Sequence, residues 1–136
     1  MDANDLSAKL SDYFAPIEGV EAVFMFGSTA RGDHRRSSDL DLAVLLDHAT
    51  AQKGVDRAKW LADLFRVVGR NDIDLVILNR APAVLKHRIL RDGRVAYVRS
   101  NRAVAEFSIR AMQEYVDTKP IRKLQHASLR RRLGLD

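Results

Sequence analysis

The fold is decided by residues 21–47, EAVFMFGSTARGDHRRSSDLDLAVLLD. The apolar run 21–26 ends at Gly27 and predicts a buried strand. Residues 39–47 predict a second strand, because they are nearly continuously apolar after position 41. The polar and basic residues 29–36 separate the two strands and predict a turn that opens a short helix.

Two carboxylates stand at the start of the second strand. Asp39 and Asp41 are two residues apart, so on a strand they point to the same face. Leu40, Leu42 and Val44 then point to the other face, toward a core. Carboxylates this close repel one another unless a cation lies between them, and Mg²⁺ binds to such groups together with phosphate oxygens. An exposed strand end with two solvated aspartates is the alternative reading of this pair alone.

A third carboxylate interrupts the apolar sequence IDLVIL, residues 73–78, within a predicted strand over 72–79. Burial of an unpaired carboxylate costs several kcal/mol, so Asp74 calls for a partner. If its strand neighbours the one that carries Asp39 and Asp41, three carboxylates converge within reach of two metal ions. Asp74 could also accept a proton from an attacking hydroxyl. Asp72 is a rival for this position, but Asp74 is preferred because it lies opposite the face of Ile73, Leu75 and Ile77.

The Gly27-Ser28 pair follows the first strand directly. Glycine has no Cβ, so a phosphate can approach its backbone closely. The N–H groups that open the next helix, with the Ser28 hydroxyl, would point toward that anion. A Gly-Ser pair after a strand is more often an ordinary turn, which is the alternative reading of this pair alone. The His-Arg-Arg sequence over 34–36 would either contact phosphate or form a solvated loop.

The rest of the chain predicts alternating helices and strands. Helical spacing of apolar residues covers 5–14, 51–68, 82–91 and 101–116, and further strands cover 72–79 and 94–99, the last at a sheet edge. In helix 51–68 the inward stripe is predicted to be Val55, Ala58, Leu61, Ala62, Phe65 and Val68, with Gly69 as the stop. Helix 101–116 carries a second apolar stripe, and a final basic helical segment follows Pro120. This order predicts one α/β domain with a helical tail.

Composition limits the class of protein. The chain has 136 residues, 46% of them hydrophobic and 30% charged, which is typical of one globular domain. It has no cysteine for a disulfide or a thiolate zinc site, no apolar run of the roughly 20 residues that span a bilayer, and no apolar leader, so a cytoplasmic protein is expected. Residues 117–136 contain six basic and two acidic residues, which leaves only +1 of the net charge of +5 for the body. The basic tail would contact RNA or an acidic protein face, or remain a solvated helix end.

The spacing of these motifs resembles a known family. A glycine-serine pair followed after ten residues by Asp-x-Asp is similar to the signature of the polymerase-β-like nucleotidyltransferase superfamily. The sequences GSTARG over 27–32 and SDLDL over 38–42 resemble its minimal nucleotidyltransferase (MNT) branch, and the likeness extends to about residue 99. It implies an α/β fold with a small mixed β-sheet of about four strands flanked by helices. It also implies a nucleotidyltransferase domain over 1–100 and a C-terminal helical tail over 101–136 that packs on the domain, on a partner or on both.

The resemblance also implies an activity, the Mg²⁺-dependent transfer of a nucleoside monophosphate from ATP with release of pyrophosphate. The resemblance implies that Asp39, Asp41 and Asp74 bind the metal, with two Mg²⁺ ions expected, and carry out catalysis. It implies that Gly27, Ser28 and Arg31 bind the nucleotide. Asp74 would complete the metal site or act as the base. Arg31 would neutralise phosphate charge or brace the turn by pairing with a carboxylate.

Small members of this branch resemble antitoxins that are encoded beside a HEPN-domain ribonuclease toxin, and the active ones transfer AMP to a toxin tyrosine. The C-terminal part of this chain is similar to their tails, and a partner would cover its second apolar stripe. The stripe could instead pack on the sheet or in a homodimer. We therefore expect an adenylyltransferase that acts on a cognate HEPN toxin. The alternatives are an antitoxin that acts by binding alone, and a nucleotidyltransferase for RNA or a small molecule.

Overall fold

The computed structural model describes residues 2–27 and 39–134, apart from the side chains at positions 122 and 126. The helices in these ranges are α1 (Ala3–Phe14), α2 (His48–Lys53), α3 (Arg57–Val68), α4 (Ala83–Asp92), α5 (Asn101–Asp117) and α6 (Lys119–Arg132). The strands are β1 (Val20–Phe26), β2 (Leu40–Leu46), β3 (Ile73–Ile77) and β4 (Arg94–Val98), with a 3₁₀ turn at Leu78–Arg80. No helix in the described part of the chain is both long and apolar enough to cross a membrane.

The four strands form one mixed sheet in the order β3-β2-β1-β4. Strand β1 is antiparallel to both β2 and β4, whereas β2 and β3 run parallel. The predicted edge position of β4 is confirmed. The condition on which the three-carboxylate hypothesis rested is also met, because β3 is the direct neighbour of β2.

Each face of the sheet has its own apolar core, since strand residues point alternately to opposite faces. Helices α1 and α3 cover one face, where the buried residues include Leu10, Phe14, Val23, Met25, Leu40, Leu42, Val44, Trp60, Leu64 and Leu75. Helices α4 and α5 cover the other face, where the buried residues include Ala22, Phe24, Ala43, Leu45, Ile89, Phe107 and Ala111. The presence of helices on both faces of the sheet confirms the α/β class and the predicted flanking helices.

The single helix predicted over 51–68 is wrong, because the chain forms α2 and α3 there instead. Gly54 ends α2 with a φ of 89°, and the Asp56 carboxylate then caps α3 by accepting the Lys59 N–H at 3.0 Å. The inward stripe is also rotated, since Trp60 and Leu64 are buried in α3 and Phe65 is 52% exposed. The side chains of Trp60 and Leu64 therefore face the sheet. Gly69 ends α3 in the left-handed conformation, as predicted.

The C-terminal helices differ in how they pack. Phe107 and Ala111 of α5 are buried against the sheet, and the Ser100 hydroxyl caps the helix by accepting the Ala103 N–H at 3.1 Å. Helix α6 begins with Pro120 in its first turn, and none of its described side chains is buried. The predicted basic helical segment therefore exists, and only α5 contributes to the core.

Candidate active site

The acidic pair lies at the start of β2. Asp39 immediately precedes the strand and is exposed, and Asp41 is its second residue and is half-buried. Leu40 and Leu42 belong to the core under α1 and α3, so the alternation of the strand turns Asp41 to the opposite face. The two predicted faces of this strand are therefore confirmed, and the carboxylate side is the one covered by α4 and α5.

Asp41 and Asp74 are direct neighbours in the parallel ladder between β2 and β3. Adjacent strands lie about 4.8 Å apart, so both side chains leave the same face of the sheet side by side. Leu75 is buried on the other face, in agreement with the predicted orientation of Asp74. Asp74 itself is exposed, however, and the expectation of a buried carboxylate is wrong because β3 is an edge strand of the described sheet.

The carboxyl group of Asp41 is held in an unfavourable environment for its charge. Burial raises the pKa of Asp41, and the neighbouring charges of Asp74 and Asp39 raise it further. Both effects destabilise the ionised form, since burial removes water and like charges repel. A cation beside these groups would relieve the repulsion.

Gly27 forms the turn at the end of β1, directly beside Asp41. Its φ of 75° lies in the left-handed region that side chains disfavour, and a Cβ built at this position would collide with Oδ2 of Asp41. Phe26, the preceding residue, pairs with Asp41 across the sheet. The glycine therefore makes room for the carboxylate, a role that the local sequence does not reveal because Asp41 lies on another strand.

Asp72, the rival third carboxylate, is held in an ion pair. The guanidinium of Arg70 donates from Nε to Oδ1 at 2.8 Å and from Nη2 to Oδ2 at 2.6 Å. The hydrogen bond from Arg70 lowers the pKa of Asp72, and the same bond with the charges of Asp72 and Asp39 raises the pKa of Arg70. Arg70 was missed from the sequence, although an arginine two residues before an aspartate at a strand start is a signal for such a pair. The geometry favours Asp74 as the third member of the acidic site.

The carboxylates fit a magnesium ion in their chemistry. Within residues 2–27 and 39–134, no three His, Asp or Glu side chains are arranged to hold a metal ion by themselves. Magnesium needs only one or two carboxylates, because it keeps waters and takes substrate phosphates as its other ligands. The mutual repulsion that raises the pKa of Asp41 is what a cation would compensate. Asp41, with Asp39 and Asp74 beside it, therefore suits a metal that arrives with a nucleotide.

Other predictions fall on residues without a described structure. Ser28, Arg31, the His-Arg-Arg sequence over 34–36 and the short helix over 29–36 lie outside the described residues, so their roles stay predictions. Trp60 belongs to the core. His48 is exposed, and His87 stacks on Tyr115 with ring centres 3.9 Å apart.

Comparison with known proteins agrees with this geometry. The family model for polymerase beta nucleotidyltransferases matches residues 8–102, which include all four strands and the three carboxylates. The chain belongs to this family. The part of the nucleotidyltransferase that follows residue 102 contains α6 and nearly all of α5.

Known proteins are similar to this nucleotidyltransferase over most of its length. A relative from Aphanizomenon flos-aquae, named protein adenylyltransferase MntA, is 26% identical over 130 residues, which are 90% of this chain and 84% of the relative. A crystal structure of a toxin–antitoxin with AMP-PNP has a TM-score of 0.76 at 22% identity and covers 90% of this chain and 97% of its own. A second structure, of the tri-AMPylated HEPN toxin of Shewanella oneidensis in complex with the MNT antitoxin, has a TM-score of 0.70 at 19% identity and covers 93% and 98%. The two structural likenesses show the fold over about nine-tenths of this chain.

Proposed function

We propose that this nucleotidyltransferase is a protein adenylyltransferase that moves AMP from ATP to a hydroxyl group of a partner protein. The observation that carries the proposal is the pairing of Asp41 with Asp74 beside Gly27, in a chain of the polymerase beta nucleotidyltransferase family. Support for a protein acceptor comes from the relative named protein adenylyltransferase MntA and from the structure of an AMPylated toxin with its antitoxin. The proposed acceptor is a tyrosine of a cognate HEPN ribonuclease toxin, which makes this chain its antitoxin.

The acidic residues would hold Mg²⁺, with two ions expected. Asp39 and Asp41 are the proposed ligands, and Asp74 either completes the set or acts as the base. Magnesium at this position would neutralise the triphosphate and stabilise the attacking and leaving oxygens of an in-line displacement. The chain supplies the carboxylates before the nucleotide arrives, at the cost of the repulsion that raises the pKa of Asp41.

The proposed reaction is a single displacement at the α-phosphorus of ATP. The hydroxyl oxygen of the acceptor forms a bond to that phosphorus, and the bond from the phosphorus to the bridging oxygen of the β-phosphate breaks. Pyrophosphate leaves with that electron pair, and the hydroxyl proton passes to Asp74 or to water. Asp74 is exposed and lies next to Asp41, so an acceptor side chain from another protein could reach it.

The nucleotide would lie along the turn that follows β1. Gly27 has no side chain to block it, and its backbone is already held in the left-handed conformation that the turn requires. Ser28 and Arg31 are proposed to contact the triphosphate, with bracing of the turn as the other role for Arg31. The proposed nucleotidyltransferase domain ends near residue 100, and the helical tail over 101–136 is proposed to pack on both the domain and the partner. The expected compartment is the cytoplasm.

The intact mass of the acceptor tests this function. The HEPN-domain protein encoded beside this chain is incubated with the chain, ATP and Mg²⁺, and its mass is compared with a reaction that contains the Asp39→Asn or Asp41→Asn variant. We expect a gain of one or more AMP units with the native chain and none with either variant. A stable complex without a mass gain would instead support neutralisation by binding alone. Absence of both complex and mass gain would direct the search to RNA and small-molecule acceptors.

A further inference from the structure

Helix α5 has two apolar faces, and the rest of the described protein covers only one of them. Phe107 and Ala111 are buried in the core, whereas Ile109, Met112 and Val116 are 58–62% exposed. At 100° per residue, the exposed set lies about 150° around the helix from the buried face. These three residues line an open groove of about 700 Å³. We refer to Ile109, Met112 and Val116 as the outer stripe of α5.

Helix α6 continues this exposed apolar surface. Three aliphatic residues of α6 and the leucine that follows the helix are each more than half exposed: Ile121, Leu124, Leu129 and Leu133. None of the described α6 side chains is buried, although the helix is 14 residues long. Isolated helices of this length are marginal in water, since most helix stability in proteins comes from a packed apolar face. Such a surface indicates that α6 is covered when the protein functions.

The charges on this surface restrict what covers it. Residues 119–132 contain six basic and no acidic side chains. A second copy that packs α6 against α6 by two-fold symmetry would oppose two basic helices, because such an interface places the same patch on both sides. Like charges across an interface are costly, so an occupant with acidic side chains at its rim fits better.

The apolar side chains favour a protein over a nucleic acid. The exposed apolar residues of α5 and α6 that the structure describes are isoleucine, leucine, methionine and valine. Single-stranded nucleic acids bind by stacking bases on aromatic side chains, and aliphatic residues offer no such platform. The described aromatic residue on the C-terminal half of α5 is Tyr115, which is half-buried and already stacked on His87.

The outer stripe belongs to the helix layer on the carboxylate side of the sheet. Helix α5 is joined to α4 by the stacked rings and by an ion pair of 2.9 Å between Lys86 and Glu114. After α4 the chain enters β4, whose residue Arg94 pairs with Met25, next to the Phe26 partner of Asp41. Helix α4 therefore ends at the carboxylate end of the sheet. A protein seated on α5 and α6 would lie on the side to which Asp41 and Asp74 project.

We propose that the outer stripe of α5 and the exposed aliphatic residues of α6 form the docking surface for the protein acceptor, which presents an apolar patch with an acidic rim. The inference rests on the proposed function for the identity of that partner as the acceptor. The surface holds the partner, and the carboxylate site modifies it.

The test separates docking from chemistry. The chain and the HEPN-domain protein encoded beside it are purified separately. Their binding is then measured by calorimetry for the native chain, Met112→Glu, Leu124→Glu and the control Phe65→Glu. Phe65 is 52% exposed on α3, which covers the opposite face of the sheet, so the control adds the same charge to a similar surface. We expect both docking-surface variants to weaken binding by roughly 30-fold or more, as for a central interface residue, and the control to bind normally. Circular dichroism melts check that the three variants remain folded.

The outcomes distinguish this inference from the proposed function. Asp41→Asn should bind the partner normally and transfer no AMP. Binding by the native chain without AMP transfer would refute the proposed activity but leave the docking surface intact if Met112→Glu loses binding. Normal binding and transfer by Met112→Glu and Leu124→Glu would overturn the docking surface. Two other results would overturn the docking surface, each with partner binding unchanged. In one, Met112→Glu converts a dimer of this chain to a monomer. In the other, it releases a single-stranded RNA oligonucleotide.

Discussion

Replacement of Gly27 by alanine tests how the turn after β1 positions the carboxylate of Asp41. Gly27 has a φ of 75°, and a Cβ at this position would collide with Oδ2 of Asp41. Gly69 has nearly the same backbone, with a φ of 79°, but a Cβ there meets no atom within 4 Å. The two alanine variants therefore share one backbone cost and differ in the collision.

The expected losses of stability and activity follow from the backbone cost and from the collision with Asp41. A residue with a Cβ in the left-handed conformation costs about 1–2 kcal/mol, which is the expected loss in free energy of unfolding for Gly69→Ala. In Gly27→Ala the Asp41 side chain must also leave its rotamer, which adds about 0.5–1.5 kcal/mol. The larger effect is on catalysis, because misplacement of a reacting group by about 1 Å can cost roughly 100-fold in rate.

Urea unfolding of the nucleotide-free protein measures the first quantity, and the rate of AMP incorporation at saturating ATP measures the second. We expect a rate near the native one for Gly69→Ala and a loss of roughly 100-fold for Gly27→Ala. Equal transfer rates in the two variants would refute the reasoning, because the collision with Asp41 would then have no consequence for the site.

Three further predictions concern the acidic residues. Because burial and neighbouring charges raise the pKa of Asp41, its ionisation destabilises the folded protein as pH rises from about 4, the unfolded value, through the folded value. Asp41→Asn should therefore raise the urea midpoint of the nucleotide-free protein at pH 7, with the gain lost below about pH 4; a gain that does not depend on pH would contradict this. Asp74→Asn should abolish AMP transfer and raise the urea midpoint at pH 7, by less than Asp41→Asn does, because it removes one of the charges that repel Asp41. Asp72→Asn should keep AMP transfer and lower the free energy of unfolding by about 1 kcal/mol or less, since it removes a partly exposed ion pair with Arg70. If Asp72→Asn abolished AMP transfer and Asp74→Asn kept it, Asp72 would be the third carboxylate.

The strands and the acidic site could be predicted because local patterns specify them. Continuous apolar runs marked β1 and β2, and the two-residue spacing of Asp39 and Asp41 determined which face they share. The pairing of β2 with β3 could be stated only as a condition, because the order of strands depends on contacts between distant segments. Once that order is known, the register that aligns Asp41 with Asp74 follows from the fold.

The missed features depend on tertiary context. Apolar spacing continues through residues 51–68, so it did not reveal that Gly54 separates two helices. Periodicity also does not say which of two adjacent stripes is buried, and the packing of Trp60 decided that for α3. The exposure of Asp74 follows from the edge position of β3, and the role of Gly27 requires the position of a side chain on another strand.

The position of the label that reaches the acceptor tests the central claim most directly. The chain, Mg²⁺ and the neighbouring HEPN-domain protein are incubated with ATP that is radiolabelled at either the α- or the γ-phosphorus. Nucleotidyl transfer predicts label on the acceptor from the α-position only, with the γ-label released as pyrophosphate, and no transfer by the Asp41→Asn variant. Label from the γ-position on the acceptor, or undiminished α-label with Asp41→Asn, would contradict the account.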